Sequence, residues 1–339
     1  MDVWPDITLC ISKSRLNNFS IPYRISICAI LLAIVAETRG QDAYYAAVQD
    51  MNIWYNPALK TNKLAVLHAN FRSVNYEGIT AYNSKAATVE LPLTTSEKKE
   101  TDNIPFVNLA IGINADNASN NALDVSTAMM SLSYALPLND KNTYLALGFQ
   151  GNYTFSKIAY YGSFPGQFDQ YGAFGAAISA DPVQSGYQYN YFTAGVGLVL
   201  FQTTAQKQWY IGGSLRHFNQ PYTDWTYSAR LPMKAGIQAG YAKAITNEDA
   251  ISTFGIFSWQ GGIREQLIGA LYTRNLDDSS QYAISVGLSY RAGDALIPNL
   301  ALKFGDGQIA FYYEFNIIGS AASASYNRTS FEFSFKLNL

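Results

Sequence analysis

An all-β fold, specifically a transmembrane antiparallel up-and-down β-barrel of about 14 strands, is predicted for this chain by three observations. The first is its final segment, where Phe331, Phe333, Phe335, Leu337 and Leu339 alternate with Glu332, Ser334, Lys336 and Asn338. Successive strand side chains point to opposite faces, so the segment carries one apolar and one polar face, as a strand between lipid and a wet lumen must. Sliding the register by one residue would put Glu332 and Lys336 into hydrocarbon, where a basic residue at mid-bilayer costs about 2–4 kcal/mol. Read as the edge of a soluble sandwich, the same strand would expose three alternating phenylalanines as a template for aggregation. The second observation is low charge without helical spans. The chain is 48% hydrophobic and 14% charged, against about 25% charged in soluble proteins. Outside one short stretch near the start, no run approaches the ~18 apolar residues of a spanning helix, and a lipid-embedded chain without such helices is a closed barrel. Third, 25 Tyr, 19 Phe and 5 Trp supply the interfacial aromatic girdles of such barrels.

The elements follow in chain order. Ile25 to Val35 (ISICAILLAIV) is an apolar run of h-region length, preceded by Lys13, Arg15 and Arg24 and followed by Ala36-Glu37-Thr38-Arg39-Gly40. Residues 1–40 therefore read as a secretory signal peptide cleaved between Gly40 and Gln41, with a long n-region. An uncleaved anchor helix is the competing reading, limited by the length of the run. Cys10 and Cys28 both fall in this segment, so the mature chain can form neither a disulfide nor a thiolate metal site. Cys28 lies within the apolar run rather than after a lipoprotein box. Removal of residues 1–40 leaves 19 basic and 22 acidic residues, a net charge of −3. No basic patch points to nucleic acid.

Residues 41–63 precede the first strand and contain Tyr55-Asn56-Pro57-Ala58, where Asn-Pro marks a turn. The segment is expected either to plug the lumen or to lie beneath it in the periplasm. The barrel itself occupies 64–339. Alternation gives strands at 64–73, 85–93, 104–115, 124–137, 142–154, 189–200, 208–217, 231–243, 250–259, 264–273, 281–291, 296–304, 308–317 and 328–339. The segments at 85–93, 250–259 and 296–304 are weaker, so the range is twelve to sixteen. Lys243 has the parity of the apolar face at a strand end, from which it can snorkel.

With both termini periplasmic, the outer loops follow odd strands, and the long connectors 155–188, 218–230 and 318–328 lie outside. Pro137-Leu138-Asn139-Asp140-Lys141 and Gly305-Asp306-Gly307 are then short periplasmic turns with Asn-Asp and Asp-Gly chemistry. Thr94 to Asn103 (TTSEKKETDN) is a longer charged periplasmic connector, either a solvated turn or a partner contact. The loop 155–188 is rich in aromatics, Gly, Gln and Pro, and either folds inward to constrict the pore or offers an aromatic surface outside. Fourteen strands fall between the filled eight-stranded barrel and the open channel of about 16–18, so interior space is expected.

Chemistry is sparse. His68 and His217 are the only histidines, and neither has the spacing of a nucleophile–base–acid constellation or of a metal site. No catalytic, cofactor-binding or metal residue is assigned, and no cofactor is expected. Gly195-Val196-Gly197 and Gly212-Gly213 read as small residues within strands that ease packing or curvature. Lys234, Arg264, Arg291, Lys303, Glu314, Glu332 and Lys336 are expected to face the lumen, either as a solute-selective lining or simply toward water.

The segment QDMNIWYNPAL (Gln49 to Leu59), with Tyr55-Asn56-Pro57-Ala58 at its centre, resembles the early motif of the PorP/SprF family of type IX secretion membrane proteins. The likeness continues through NLAIGINADNAS (Asn108 to Ser119), SLSYALPL (Ser131 to Leu138) and AGIQAGYA (Ala235 to Ala242). It departs from the family pattern where Leu59 and Lys60 follow Ala58 in place of an aromatic and a Gly. What the resemblance implies is an outer-membrane barrel, of a kind found in Bacteroidota, that serves secretion or gliding machinery. Its implied partners are exported proteins or their C-terminal domains, and periplasmic and outer-membrane components of the machinery. The implied role is a non-catalytic platform that binds or anchors secreted proteins. The alternative is a porin or transporter for small, including hydrophobic, solutes.

Overall fold

Fourteen strands pair in sequence order and the last returns to the first, closing an antiparallel barrel. They are β1 (Val66–Tyr76), β2 (Ile79–Leu93), β3 (Phe106–Ala118), β4 (Leu123–Asn139), β5 (Thr143–Ile158), β6 (Tyr187–Thr203), β7 (Lys207–Arg216), β8 (Lys234–Ala244), β9 (Asp249–Gln260), β10 (Ile263–Asn275), β11 (Tyr282–Arg291), β12 (Ala295–Phe304), β13 (Gly307–Asn316) and β14 (Arg328–Asn338). The structure is a computed structural model that describes residues 45–76, 79–93, 104–118, 123–139, 142–158, 187–223, 230–277, 280–317 and 328–339. The segment 1–40, the connector Thr94 to Asn103 and most of the loop 155–188 lie outside the described residues.

Each predicted strand corresponds to an observed one, the three weaker segments included. The largest difference is at β2, which begins at Ile79 where the alternation predicts a start at 85; at the long loop β5 continues to Ile158 and β6 begins at Tyr187, so both ends of 155–188 are strand.

Closure depends on the pairing of β1 with β14, which runs without a break from Val66↔Asn338 to Tyr76↔Arg328. Closing the sheet removes the free edges that an open one would present. Along β14, Ser330, Glu332, Ser334 and Lys336 are buried in the lumen while Phe333 is exposed on the outer face, the parity expected from the sequence. Ile111, Ile113, Met130, Phe149, Leu198 and Val286 are other exposed apolar residues of the outward face. Tyr241, Tyr272, Tyr282 and Phe304 ring the barrel where even strands end, and Tyr153, Phe155, Phe192 and Trp259 ring it where odd strands end, as two girdles. The first ring marks the turn end of the barrel and the second its loop end. Pro298 is accommodated in β12 because it has no N–H to pair: the β12–β13 register skips Ile297 and Pro298 and resumes at Asn299↔Tyr312.

Arg264 departs from the expectation. It is exposed and shares its parity with the outward Ile268, so it sits on the outer face beside the tight turn Gly261-Gly262, not in the lumen. At a strand end it can reach the headgroup region, which removes the cost of that placement.

The segment Tyr45–Lys60 is buried throughout and lies inside the barrel, with a short helix α1 (Asn52–Tyr55) at its middle. Its apolar residues Met51, Ile53 and Trp54 share a core with Phe254, Ile256, Leu267 and Ile297 of the lumen wall. This explains why 250–259 and 296–304 alternate weakly. Their strands carry apolar residues on both faces, one toward lipid and, at Phe254, Ile256 and Ile297, one toward the inserted segment. In 85–93 the blemish is Lys85, exposed on the outward face.

The lipid-facing register predicts the effect of Phe333→Lys. Ammonium in place of an exposed mid-strand ring should destabilise the barrel by about 2–4 kcal/mol. The folded fraction in a urea titration in lipid vesicles checks this; an unchanged midpoint would contradict the register.

Candidate functional site

The residues singled out from the sequence, Tyr55, Asn56, Pro57 and Ala58, form the end of α1 and the turn after it. Asn56 closes the turn locally: its Oδ1 accepts the Ala58 N–H at 2.9 Å. Its Nδ2 donates to Gln238 Oε1 at 3.0 Å and to the Gly213 carbonyl at 3.2 Å. Asn56 is fully buried, so every bond it makes replaces one lost to water. Pro57 and Ala58 then press their backbone against the wall. A Cβ at Gly148 would lie 2.5 Å from the Pro57 carbonyl carbon and 2.6 Å from the Ala58 nitrogen. Gly197, the partner of Gly148 in the β5–β6 register, stands against the Asn56 side chain, and Gly212 lies beside it on β7. The glycines therefore form a trench that admits the Asn-Pro-Ala turn. At Gly148 two backbones approach closely, and at Gly197 and Gly212 the wall backbone makes room for the Asn56 side chain.

Other contacts hold the segment along its length. Trp54 Nε1 donates to Thr88 Oγ1 at 2.8 Å, and Ser334 Oγ donates to Asp50 Oδ2 at 2.7 Å. Tyr55 is tied to Tyr45, whose N–H donates to the phenol oxygen at 3.0 Å. Near the turn end, Lys60 Nζ is 3.0 Å from Glu90 Oε2, with His68 Nε2 3.5 Å from the other oxygen of the same carboxylate. The strongest anchor is Glu332. Its oxygens accept the Ala46 N–H at 2.6 Å, the Ala47 N–H at 2.9 Å and Asn70 Nδ2 at 2.7 Å. A carboxylate with three donors is well satisfied in a buried setting.

A second charged group lies nearby. Glu314, whose side chain is 0% exposed, receives Arg72 Nη2 at 3.0 Å, Arg291 Nη1 at 3.0 Å and Arg328 Nη2 at 3.3 Å. Asp294 bridges Arg291 at 3.1 Å and Arg328 at 2.8 Å. Three guanidiniums and two carboxylates thus tie β1, β11, β13 and β14 together inside the seam. Glu314, Glu332 and Arg291 were legible as lumen charges; their pairing was not. Asp50, Trp54 and Lys60 had no signal in the sequence beyond the motif that follows or precedes them.

His68 is buried beside Glu90, and His217 is buried just past β7 with a positive φ of 56°. The two stand in different places, and among the described residues no three His, Cys, Asp or Glu side chains gather as a metal site.

Above the inserted segment, toward the loop end, a small open cavity is bounded by Tyr45, Trp54 and Tyr55 below and by the β3–β7 wall around it.

Asn56→Ala should loosen the segment by removing two bonds to the wall and one to the turn. The expected cost is about 1–3 kcal/mol, read as a lower temperature for the loss of the fast-migrating folded form on gels. An unshifted temperature would remove Asn56 from the anchoring role.

A family model described as type IX secretion system membrane protein PorP/SprF matches residues 37–337. Nothing matches among curated proteins. Among solved structures, the chain is similar to a FadL homologue from Pseudomonas aeruginosa, at 9% identity and a TM-score of 0.50, covering 84% of this chain and 92% of that one. It is similar to the toluene transporter TodX of Pseudomonas putida at 7% identity and a TM-score of 0.50, over 88% and 95% of the two chains. The deltaS2S3 mutant of TodX, a monoaromatic hydrocarbon channel, gives 7% identity and a TM-score of 0.54 over the same shares. At such identities the likeness is one of fold.

Proposed function

Because the chain belongs to the PorP/SprF family of type IX secretion system membrane proteins, we propose that this outer-membrane barrel acts as a non-catalytic platform that binds or anchors secreted proteins or their C-terminal domains. Periplasmic and outer-membrane components of the secretion machinery complete its partners. Where the anchored protein is a surface adhesin, the same role serves gliding motility.

The observation that carries this reading is the filled lumen. Tyr45–Lys60 is buried inside the barrel and bonded to β2, β7, β8 and β14. A barrel whose interior is occupied by its own chain, held by buried polar contacts, suits a rigid holder better than a conduit. The segment is the plug in this reading. The turn end faces the periplasm and the loop end faces outward, the arrangement that short turns and long loops support. Export proceeds through removal of residues 1–40, so the mass of the purified protein should correspond to a chain starting at Gln41.

The alternative, passage of small or hydrophobic solutes, requires the plug to move. Reconstitution into planar bilayers separates the two. A silent barrel that copurifies with a secreted protein is the expected result. Ohmic, solute-selective conductance without such a partner would overturn the platform reading.

A further inference from the structure

On the outward face of the barrel, at its turn end, two like charges stand directly opposite each other. β7 opens with Lys207, β8 ends one residue past Lys243, and the two lysines are partners in the β7–β8 register. Their even-numbered neighbours Gln208, Tyr210, Gln238 and Ala242 are buried on the lumen side. Both lysines therefore leave the wall on the lipid side, and both are exposed. Like charges directly opposite across a ladder are destabilising. The neighbouring charges at this end are arranged the other way. Asp249 of β9 faces Arg274 of β10, and Arg274 Nη2 lies 3.1 Å from Glu248 Oε2. The Asp249 carboxylate accepts from the Tyr272 hydroxyl and from Thr246 Oγ1. Among the described residues no carboxylate pairs with Lys207 or Lys243.

The residues beside the pair set its depth. In the adjacent outward-facing row, Thr143, Gln202, Trp209 and Tyr241 follow one another across β5, β6, β7 and β8. Gln202 Nε2 donates to Thr143 Oγ1 at 3.2 Å, and Trp209 Nε1 donates to Gln202 Oε1 at 3.0 Å. The next row along the same strands is purely apolar: Leu145, Leu200, Ile211 and Ala239. Such a step from polar to apolar marks the boundary between headgroups and hydrocarbon, the depth at which Trp and Tyr sit in a membrane. Lys207 Nζ lies over the Tyr241 ring, 5.8 Å from its centroid, which holds that charge at the boundary.

We propose that Lys207 and Lys243 bind the phosphate of an anionic phospholipid between them, with Trp209 and Tyr241 beside its glycerol region. A single phosphodiester replaces one repulsion by two attractions, and its oxygens accept hydrogen bonds from both ammonium groups. A zwitterionic lipid offers the same phosphate but brings a further cation to a site that already holds two. A free phosphate ion has no acyl chains to lay along Leu145, Leu200 and Ile211, whereas a lipid gains from both ends of the site.

Native mass spectrometry of the purified barrel, released from detergent micelles after titration with dioleoylphosphatidylglycerol or dioleoylphosphatidylcholine, tests the proposal. Phosphatidylglycerol is expected to stay bound at concentrations at which phosphatidylcholine does not. Lys207→Gln combined with Lys243→Gln should weaken its retention at least about tenfold. Lys157→Gln, which removes an exposed charge from the outward face at the loop end, should change it by less than about threefold. Removing two repelling charges leaves the ladder intact, and the folded-form gel shift checks that the variants assemble. Equal retention of the two lipids, unchanged retention in the double variant, an equal loss in Lys157→Gln, or displacement of the lipid by inorganic phosphate would overturn the proposal. A micelle presents lipid to both ends of the barrel, so the result does not depend on which end faces the periplasm. The platform reading stands or falls separately, on copurification of a secreted protein.

Discussion

Replacing Glu314 by glutamine is expected to destabilise the barrel by about 3–5 kcal/mol, the range for breaking a buried ion pair by removing one partner. The carboxylate is wholly buried and receives three arginines from β1, β11 and β14. Glutamine keeps the shape but leaves the positive charges of Arg72, Arg291 and Arg328 to Asp294 and, at 3.9 Å from Arg72, to Glu332. Glu248→Gln is the control. Its partner Arg274 is 53% exposed and Glu248 57%, so the expected loss is below about 1 kcal/mol. Urea midpoints in vesicles read both. If Glu314→Gln and Glu248→Gln gave equal shifts, the buried group would be worth no more than a surface pair.

The second large effect is expected from a single methyl-bearing side chain in the wall. Gly148→Val drives bulk into the Pro57–Ala58 backbone, where a Cβ would already stand 2.5 Å from an atom that cannot rotate away. The wall is held by two ladders, one unbroken from Thr143↔Gln202 to Ile158↔Tyr187 and one continuous from Leu123↔Ile158 to Pro137↔Tyr144. The inserted segment is the part free to yield. Its displacement should turn a silent barrel into a conducting one in planar bilayers. A chain lacking residues 41–60 should conduct similarly, and adding Gly148→Val to that chain should change neither conductance nor folding. If Gly148→Val abolished folding even without the segment, the glycine would serve the sheet and not the close approach.

The strand count was legible because lipid and lumen impose opposite demands on alternate residues, and β14 shows this in pure form. The faint segments were faint for a reason that only the fold supplies. Phe254, Ile256 and Ile297 are lumen residues that meet Tyr45–Lys60, so alternation vanished where a protein surface, not water, filled the interior. The ends of β5 and β6 were hidden differently: Tyr153, Phe155, Tyr187, Tyr189 and Tyr191 put aromatics on both faces. The motif Tyr55-Asn56-Pro57-Ala58 marked a turn, and its seat among Gly148, Gly197 and Gly212 involves residues on three strands that no local spacing connects. Arg72 and Glu314 are 242 residues apart, and only closure of β14 onto β1 makes them neighbours.

The anchor at Glu332 also sets an order of events in assembly. The carboxylate that receives the Ala46 and Ala47 amides lies 286 and 285 residues away, on the final strand. Neither end can be fixed until the other has arrived, so the interior latch and the closing seam form in one late step. Contacts of such separation carry a large loop-closure cost before they return any stability. A chain stalled before β14 would therefore hold an unlatched segment in an open sheet, and the last strand to emerge decides when the first described residues come to rest.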